Sequence, residues 1–306
     1  MTDRPAVGGL DARAAVLMVV LTASWGVGQA AMKVGASGFS PVLQTVLRSA
    51  IAAILVYGWC LYRGIRLWER DGTLLPGLLV GLLFGTEFLL LFSGLDLTSA
   101  ARSVLILYSM PFWVMLGAHF LLNERMSLRK SAAMALSFLG LAIAFGDGAS
   151  RPGPDAWKGD LMILVAAILW AAATLLVRTS RLATAGPEKV LLYQLVISAA
   201  MSAVLLAGGG PHLREPSTLP VVALAFQAVW VVAVTYLVWF WLITRYQAAA
   251  LSAFTFLTPV FGVLASAFVL GEPSSGRVWL ALALIAAALV WANLPARKVP
   301  SAEVPT

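Results

Sequence analysis

The chain is built from apolar runs of about 20 residues, the length an α-helix needs to cross the hydrocarbon core of a bilayer. Ten are delimited by turn residues or charge: 13–34, 41–62, 74–94, 99–122, 129–146, 160–180, 188–208, 219–243, 248–270 and 276–294. In lipid every backbone N–H and C=O must be satisfied internally, so runs of this length read as helices. Composition agrees. Of the 306 residues, 60% are apolar and 11% are charged, against about 25% charged in a soluble domain. That balance excludes a soluble enzyme, a disordered chain and a conventional nucleic-acid binder. The expectation is an all-α integral membrane protein of ten transmembrane helices.

The net charge is +7. Placing alternate loops on alternate sides puts thirteen Lys and Arg on the side of the termini and four on the other. This asymmetry predicts cytoplasmic termini and accounts for the basic balance without nucleic acid as a partner. A single cysteine, Cys60, excludes an intramolecular disulfide and a cysteine-rich metal site. The first run has basic residues ahead of it, as a signal peptide would. It is read as a retained helix because it has a counterpart later in the chain.

That counterpart belongs to an internal repeat. Trp25 and Lys33 match Trp170 and Arg178 at an offset of 145, and Pro41 matches Pro187 at 146. Pro111 matches Pro259 and Glu124 matches Glu272, both at 148. Residues 13–146 and 160–294 then form two five-helix units, and the Pro/Gly-rich stretch 147–159 links them. Five is odd, so the second unit enters the bilayer upside down. Two inverted repeats around a central cavity are the architecture of many secondary transporters.

An early Trp with a cation eight residues on, a proline within the fourth and ninth runs, and the closing Asn123-Glu124-Arg125 and Gly271-Glu272-Pro273 together resemble the drug/metabolite transporter superfamily. The chain is similar to its EamA-type branch, and within it to bacterial ten-helix exporters of aromatic and neutral amino acids. The resemblance implies residence in the bacterial inner membrane and a cavity lined by helices 1–4 and 6–9, with helices 5 and 10 peripheral.

Polar residues inside apolar runs are the candidate site, because they are costly in lipid. Glu87 reads as the carboxylate well inside a span. It either meets a substrate ammonium or exchanges a proton, or it serves as a structural partner of Arg48, Arg102 or a backbone group. Arg48 either holds a substrate carboxylate, or pairs with Glu87 or snorkels, the second being preferred. Lys33, Arg178 and Arg102 read as snorkelling cations. Trp25, Gln29, Tyr108, Gln227 and Trp230 are expected to line the cavity beside Glu87. Pro111 and Pro259 are expected as hinges in the middle of equivalent helices. Gly77, Gly81 and Gly85 recur every four residues and predict a close helix crossing for the third run. His119 and His212 are too far apart in sequence to suggest a metal site.

The function expected from these residues is export of small metabolites, aromatic and neutral amino acids foremost, by alternating access. A proton-coupled exporter of lipophilic cations is the other reading. No G-x-x-x-x-G-K-[ST] phosphate loop occurs, and no catalytic set, cofactor or obligate protein partner is expected. The expected partners are a small-molecule substrate and the lipid bilayer.

Overall fold

A computed structural model describes residues 11–122, 128–146, 153–215, 217–243, 246, 254–255, 257–273 and 275–293. Among them the fold is helical, and a backbone bridge outside the helices joins Phe39 to Leu213. The helices are α1 (Ala12–Gly38), α2 (Pro41–Tyr62), α3 (Leu74–Leu97), α4 (Ala100–Leu107), α5 (Met110–Leu121), α6 (Leu128–Gly146), α7 (Ala156–Thr179), α8 (Pro187–Ala207), α9 (Thr218–Ala225), α10 (Thr235–Ile243), α11 (Leu257–Val269) and α12 (Gly276–Asn293). A π-helical segment, Phe226–Val234, joins α9 to α10. Among the described residues seven helical stretches are long and apolar enough to cross a membrane, and three further apolar helices are shorter. Each of the ten apolar runs contains helix. Glu124, Arg125, the start of the ninth run and residues 147–152 of the linker lie outside the described residues.

Local chemistry sets the helix boundaries. The Asp11 carboxylate accepts the Ala14 N–H at 2.7 Å and opens α1. Ser40 caps α2, whose first residue is Pro41. The fourth run is not one helix. Pro111 has no N–H to offer the carbonyl four residues back, at Leu107, so α4 ends there and α5 begins at Met110. Pro111 therefore opens a helix instead of kinking one, whereas Pro259 lies in α11, and residue 256 just ahead of that helix is outside the described residues. This corrects the mid-helix placement expected for Pro111.

Small residues set the helix crossings. A Cβ on Gly77 would meet the Tyr193 ring at 2.6 Å, one on Gly81 would meet Ile197 at 2.5 Å, and one on Gly85 would meet Met201 at 2.6 Å. The glycine seam of α3 is thus pressed against α8. Gly94 and Gly159 bring α3 equally close to α7, since a Cβ on Gly94 would lie 2.7 Å from the Gly159 carbonyl. Gly26 does the same for α1 against α11, and Gly140 for α6 against α12.

Polar contacts knit the end of the bundle that carries Gly38. Lys33 Nζ donates to the carbonyls of Leu95 at 2.5 Å and Thr98 at 2.6 Å, satisfying acceptors left open where α3 ends. Arg102 is fully buried, forms an ion pair with the equally buried Asp160, and donates to the Ala144 carbonyl. Thr98 Oγ1 donates to the same aspartate at 2.7 Å. Glu272 accepts the N–H groups of Ala100 and Ala101 at the start of α4. Arg214 donates to Asp96 and to the Ala36 carbonyl, both at 2.8 Å. Its pairing with Asp96 raises its affinity for the proton. Lys33 and Arg102 are therefore built into the protein and do not snorkel. Asp160, within the sixth run, is a second buried carboxylate beside Glu87.

Polar ties are also found at the opposite end among the described residues. Lys189 donates to Asp71 at 2.8 Å, and Thr73 donates to the same carboxylate. Lys189 first, then Thr73, hold that carboxyl well below the usual aspartate range. Tyr246 donates to Asp11 at 3.0 Å.

Candidate functional site

A cavity of about 350 Å³ lies between the helices. Each wall comes from a different element. Trp25 and Gln29 come from α1, Arg48 from α2, and Phe84, Glu87 and Phe88 from α3. Tyr108 and Pro111 come from the break between α4 and α5, Trp170 from α7, and Leu191 and Gln194 from α8. Tyr236 and Trp239 come from α10. The α4–α5 break matters here, since Tyr108 in the break and Pro111 just after it both line the space.

The aromatic walls are held by ring contacts and one hydrogen bond. Trp25 Nε1 donates to Thr235 Oγ1 at 2.8 Å, and its ring meets Trp239 and Tyr236 edge-on at 5.7 and 6.3 Å. Tyr108 meets Trp170 edge-on at 6.0 Å. Phe84 and Phe88 lie 4.6 Å apart. Edge-on and tilted arrangements of this kind are the favourable ones for aromatic pairs.

The charged groups are the informative part. Arg48 is 1% exposed, and its guanidinium lies over the Phe88 ring at 3.8 Å from the centroid. Its Nε and Nη1 have no hydrogen-bond partner among the described residues. Glu87 is 3% exposed, and its Oε2 has none either. Arg48 and Glu87 line one cavity, yet no ion pair joins them in the described residues. The preferred expectation for Arg48, pairing with Glu87 or snorkelling, is corrected. Gln29 accepts from Ser103 Oγ at 3.1 Å.

Among the expected site residues, Trp25, Gln29, Glu87, Tyr108 and Pro111 come together at this cavity. Gln227, Trp230 and Pro259 are not among its lining residues. Gln227 is fully buried near Gly35 and Gln44, and Trp230 turns outward, its indole N–H donating to Ser24 Oγ at 2.8 Å. The cause is the π-helical segment, in which the Thr235 N–H reaches back to the Trp230 carbonyl. A wider turn rotates successive residues off the face that a regular helix would present. It brings Val231, Tyr236 and Trp239 to the cavity instead.

Sequence reasoning weighed Arg48 as a carboxylate holder but preferred a structural role for it, and left Phe84, Phe88, Trp170, Gln194, Tyr236 and Trp239 outside the residues expected to line the cavity. Two carried a usable signal. Trp170 is the repeat mate of Trp25, and Gln194 stands at offset 146 from Arg48, the offset of the Pro41–Pro187 match. Among the described residues no group of three or more His, Cys, Asp or Glu gathers as metal ligands would.

The model of the EamA-like transporter family matches residues 12–146 and again residues 157–294. The chain is similar to the uncharacterized transporter YoaV of Bacillus subtilis, with 26% identity over 80% of this chain and 85% of that protein. It is similar to a probable amino-acid metabolite efflux pump of Salmonella typhimurium, with 26% identity over 91% of this chain and 93% of that one. A riboflavin transporter of Rhizobium johnstonii is 27% identical over 64% of this chain and 62% of its own. A solved crystal structure superposes with a TM-score of 0.63 at 24% identity, covering 90% of this chain and 94% of the other. That likeness speaks to the fold.

Proposed function

Because the chain belongs to the EamA-like transporter family, we propose that it is a secondary exporter of aromatic and neutral amino acids working by alternating access. Its ten crossings form two inverted five-helix repeats, with both termini in the cytoplasm of a bacterial cell and the chain in the inner membrane.

Helix partnerships support the inverted repeat. Exchanging the first unit for the second turns the α3–α7 contact into the contact of α1 with α9 and the π segment, and both are present. It turns α1–α11 into the packing of α4 and α5 on α7, also present. The α2–α8, α4–α11 and α6–α12 contacts map onto themselves. A two-fold axis in the membrane plane has this consequence, and it puts the cavity where both units meet. The α6–α12 pair stands apart from the cavity lining.

The substrate class rests on one observation: two buried, oppositely charged and unpaired side chains, Arg48 and Glu87, share an aromatic-walled cavity. A zwitterion with an aromatic side chain satisfies both charges and the walls together. The similarity to a probable amino-acid metabolite efflux pump points the same way. The second reading is a proton-coupled exporter of lipophilic cations, which Glu87 and the aromatic walls would serve. Arg48 weighs against it, because a buried guanidinium repels a cationic cargo.

Counterflow in proteoliposomes tests the choice. Labelled phenylalanine or tryptophan is expected to exchange, and a lipophilic phosphonium ion is expected neither to exchange nor to compete. Exchange of the phosphonium with no movement of either amino acid would transfer the conclusion to the second reading.

A further inference from the structure

The molecule holds two fully buried arginines in its described core, and it treats them differently. Arg102 has Asp160 on two nitrogens and the Ala144 carbonyl on the third. Arg48 has an aromatic face beneath it and two nitrogens with nothing to donate to. A guanidinium has five N–H donors in a planar fork that matches a carboxylate. Arg102 shows that this fold can saturate such a fork when the role is structural. The Phe88 ring lies against the Arg48 guanidinium without consuming its donors, and the two unpaired nitrogens belong to a side chain that lines the cavity.

We propose that Arg48 is the carboxylate-binding residue of the cavity and that it sets the orientation of the cargo. The assignment rests on the transporter reading above and names one subsite within it. The anion is an organic carboxylate, held in the plane of the guanidinium. Glu87, likewise unpaired on Oε2, lies on the neighbouring helix α3 and takes a cationic amine attached close to the carboxylate. The repeat mate of Arg48, Gln194, is neutral and lines the same cavity, so the site has one anion-binding end instead of two.

Four probes of one shape separate the contributions: phenylalanine, phenylalaninamide, 3-phenylpropionate and phenethylamine. Their binding to the purified full-length protein is followed by intrinsic tryptophan fluorescence. Phenylalanine is expected to bind at least tenfold more tightly than phenylalaninamide, and 3-phenylpropionate is expected to compete with it. In Arg48→Gln the acid-to-amide ratio falls to near one. Arg48→Lys, a point charge without the fork, gives an intermediate ratio. An unchanged ratio in Arg48→Gln overturns the assignment, as does a wild-type protein that binds amide and acid alike or binds no acid probe. The wild-type ratio keeps the test decisive even if a substituted protein fails to fold. Counterflow separates this result from the wider reading. Acid binding through Arg48 without phenylalanine movement removes the transport conclusion and leaves the subsite. Phenylalanine movement with an Arg48-independent ratio does the reverse.

Discussion

The knitted end near Gly38 and the central cavity use the same side-chain chemistry to opposite ends. Around Arg102, Asp160, Lys33, Arg214 and Glu272 each charge has its partners within the protein. Around Arg48 and Glu87 the charges are as deeply buried, yet donors and an acceptor stay open. Burying an unpaired charge costs several kcal/mol. A saturated cluster therefore locks helices together, while an unsaturated one keeps that cost in reserve for a molecule that arrives. Arg102 and Asp160 are buried as fully as Arg48 and Glu87, and saturation tells the two pairs apart.

Substitutions in each region should have opposite consequences. The largest effect is expected at the lock. Asp160→Asn or Arg102→Met leaves one member of a buried pair uncompensated and should cost about 3–5 kcal/mol, read as a lowered unfolding midpoint in detergent. Replacing both residues with apolar ones of similar size should recover much of that loss; a double variant as unstable as the singles would show that the pair is not acting as a unit.

Lys33→Met removes two charged hydrogen bonds to α3 carbonyls, worth about 1.5–3 kcal/mol each before the freed carbonyls find other donors. The midpoint should drop, though less than for Asp160→Asn. An unchanged midpoint would mean that the ties to Leu95 and Thr98 do not hold the end closed.

Arg48→Met should behave in the contrary sense. Removing an unsaturated cation should leave the unfolding midpoint equal or higher, while weakening binding of phenylalanine at least tenfold, about 1.4 kcal/mol. A fall in stability as large as that of Arg102→Met would erase the distinction between the two regions.

The smallest effect is expected at the far end. Asp71 is partly exposed, and its folded affinity for protons is depressed by Lys189 and Thr73. Its contribution is complete above the unfolded carboxylate's 3.8 and is lost as pH falls through the depressed folded value. Asp71→Asn should lower the midpoint slightly at neutral pH and narrow the difference from wild type in strong acid. A difference that grows with acidity would contradict the sign.

Much of the helical frame was legible because its causes are local. Ser40-Pro41 and Gly186-Pro187 mark helix starts, and the Gly77–Gly81–Gly85 spacing marks a crossing surface, although not that α8 would fill it. Trp25, Gln29 and Glu87 reached the cavity from regular helix, where residues four apart share a face, and Tyr108 reached it from the break after α4. Gln227 and Trp230 did not, because a π-helical segment changes the turn through them and leaves no mark in apolar periodicity. The split of the fourth run was readable from Pro111, once its missing N–H is set against the Leu107 carbonyl.

The two arginines draw the line. Chain length, apolar runs, the repeat and the loop charges determined a helical membrane protein and, through its motifs, the EamA-like transporter family. These depend on desolvation of each segment and on steps of a few residues, quantities that a linear sequence carries. Which arginine would be neutralised and which left open was decided by tertiary structure. Arg102 meets an aspartate 58 positions away, and Arg48 meets Phe88 across a helix boundary. An ion pair or an empty donor depends on distances across the fold of a few ångströms, and the packing of α3 against α7 and α8 sets those distances.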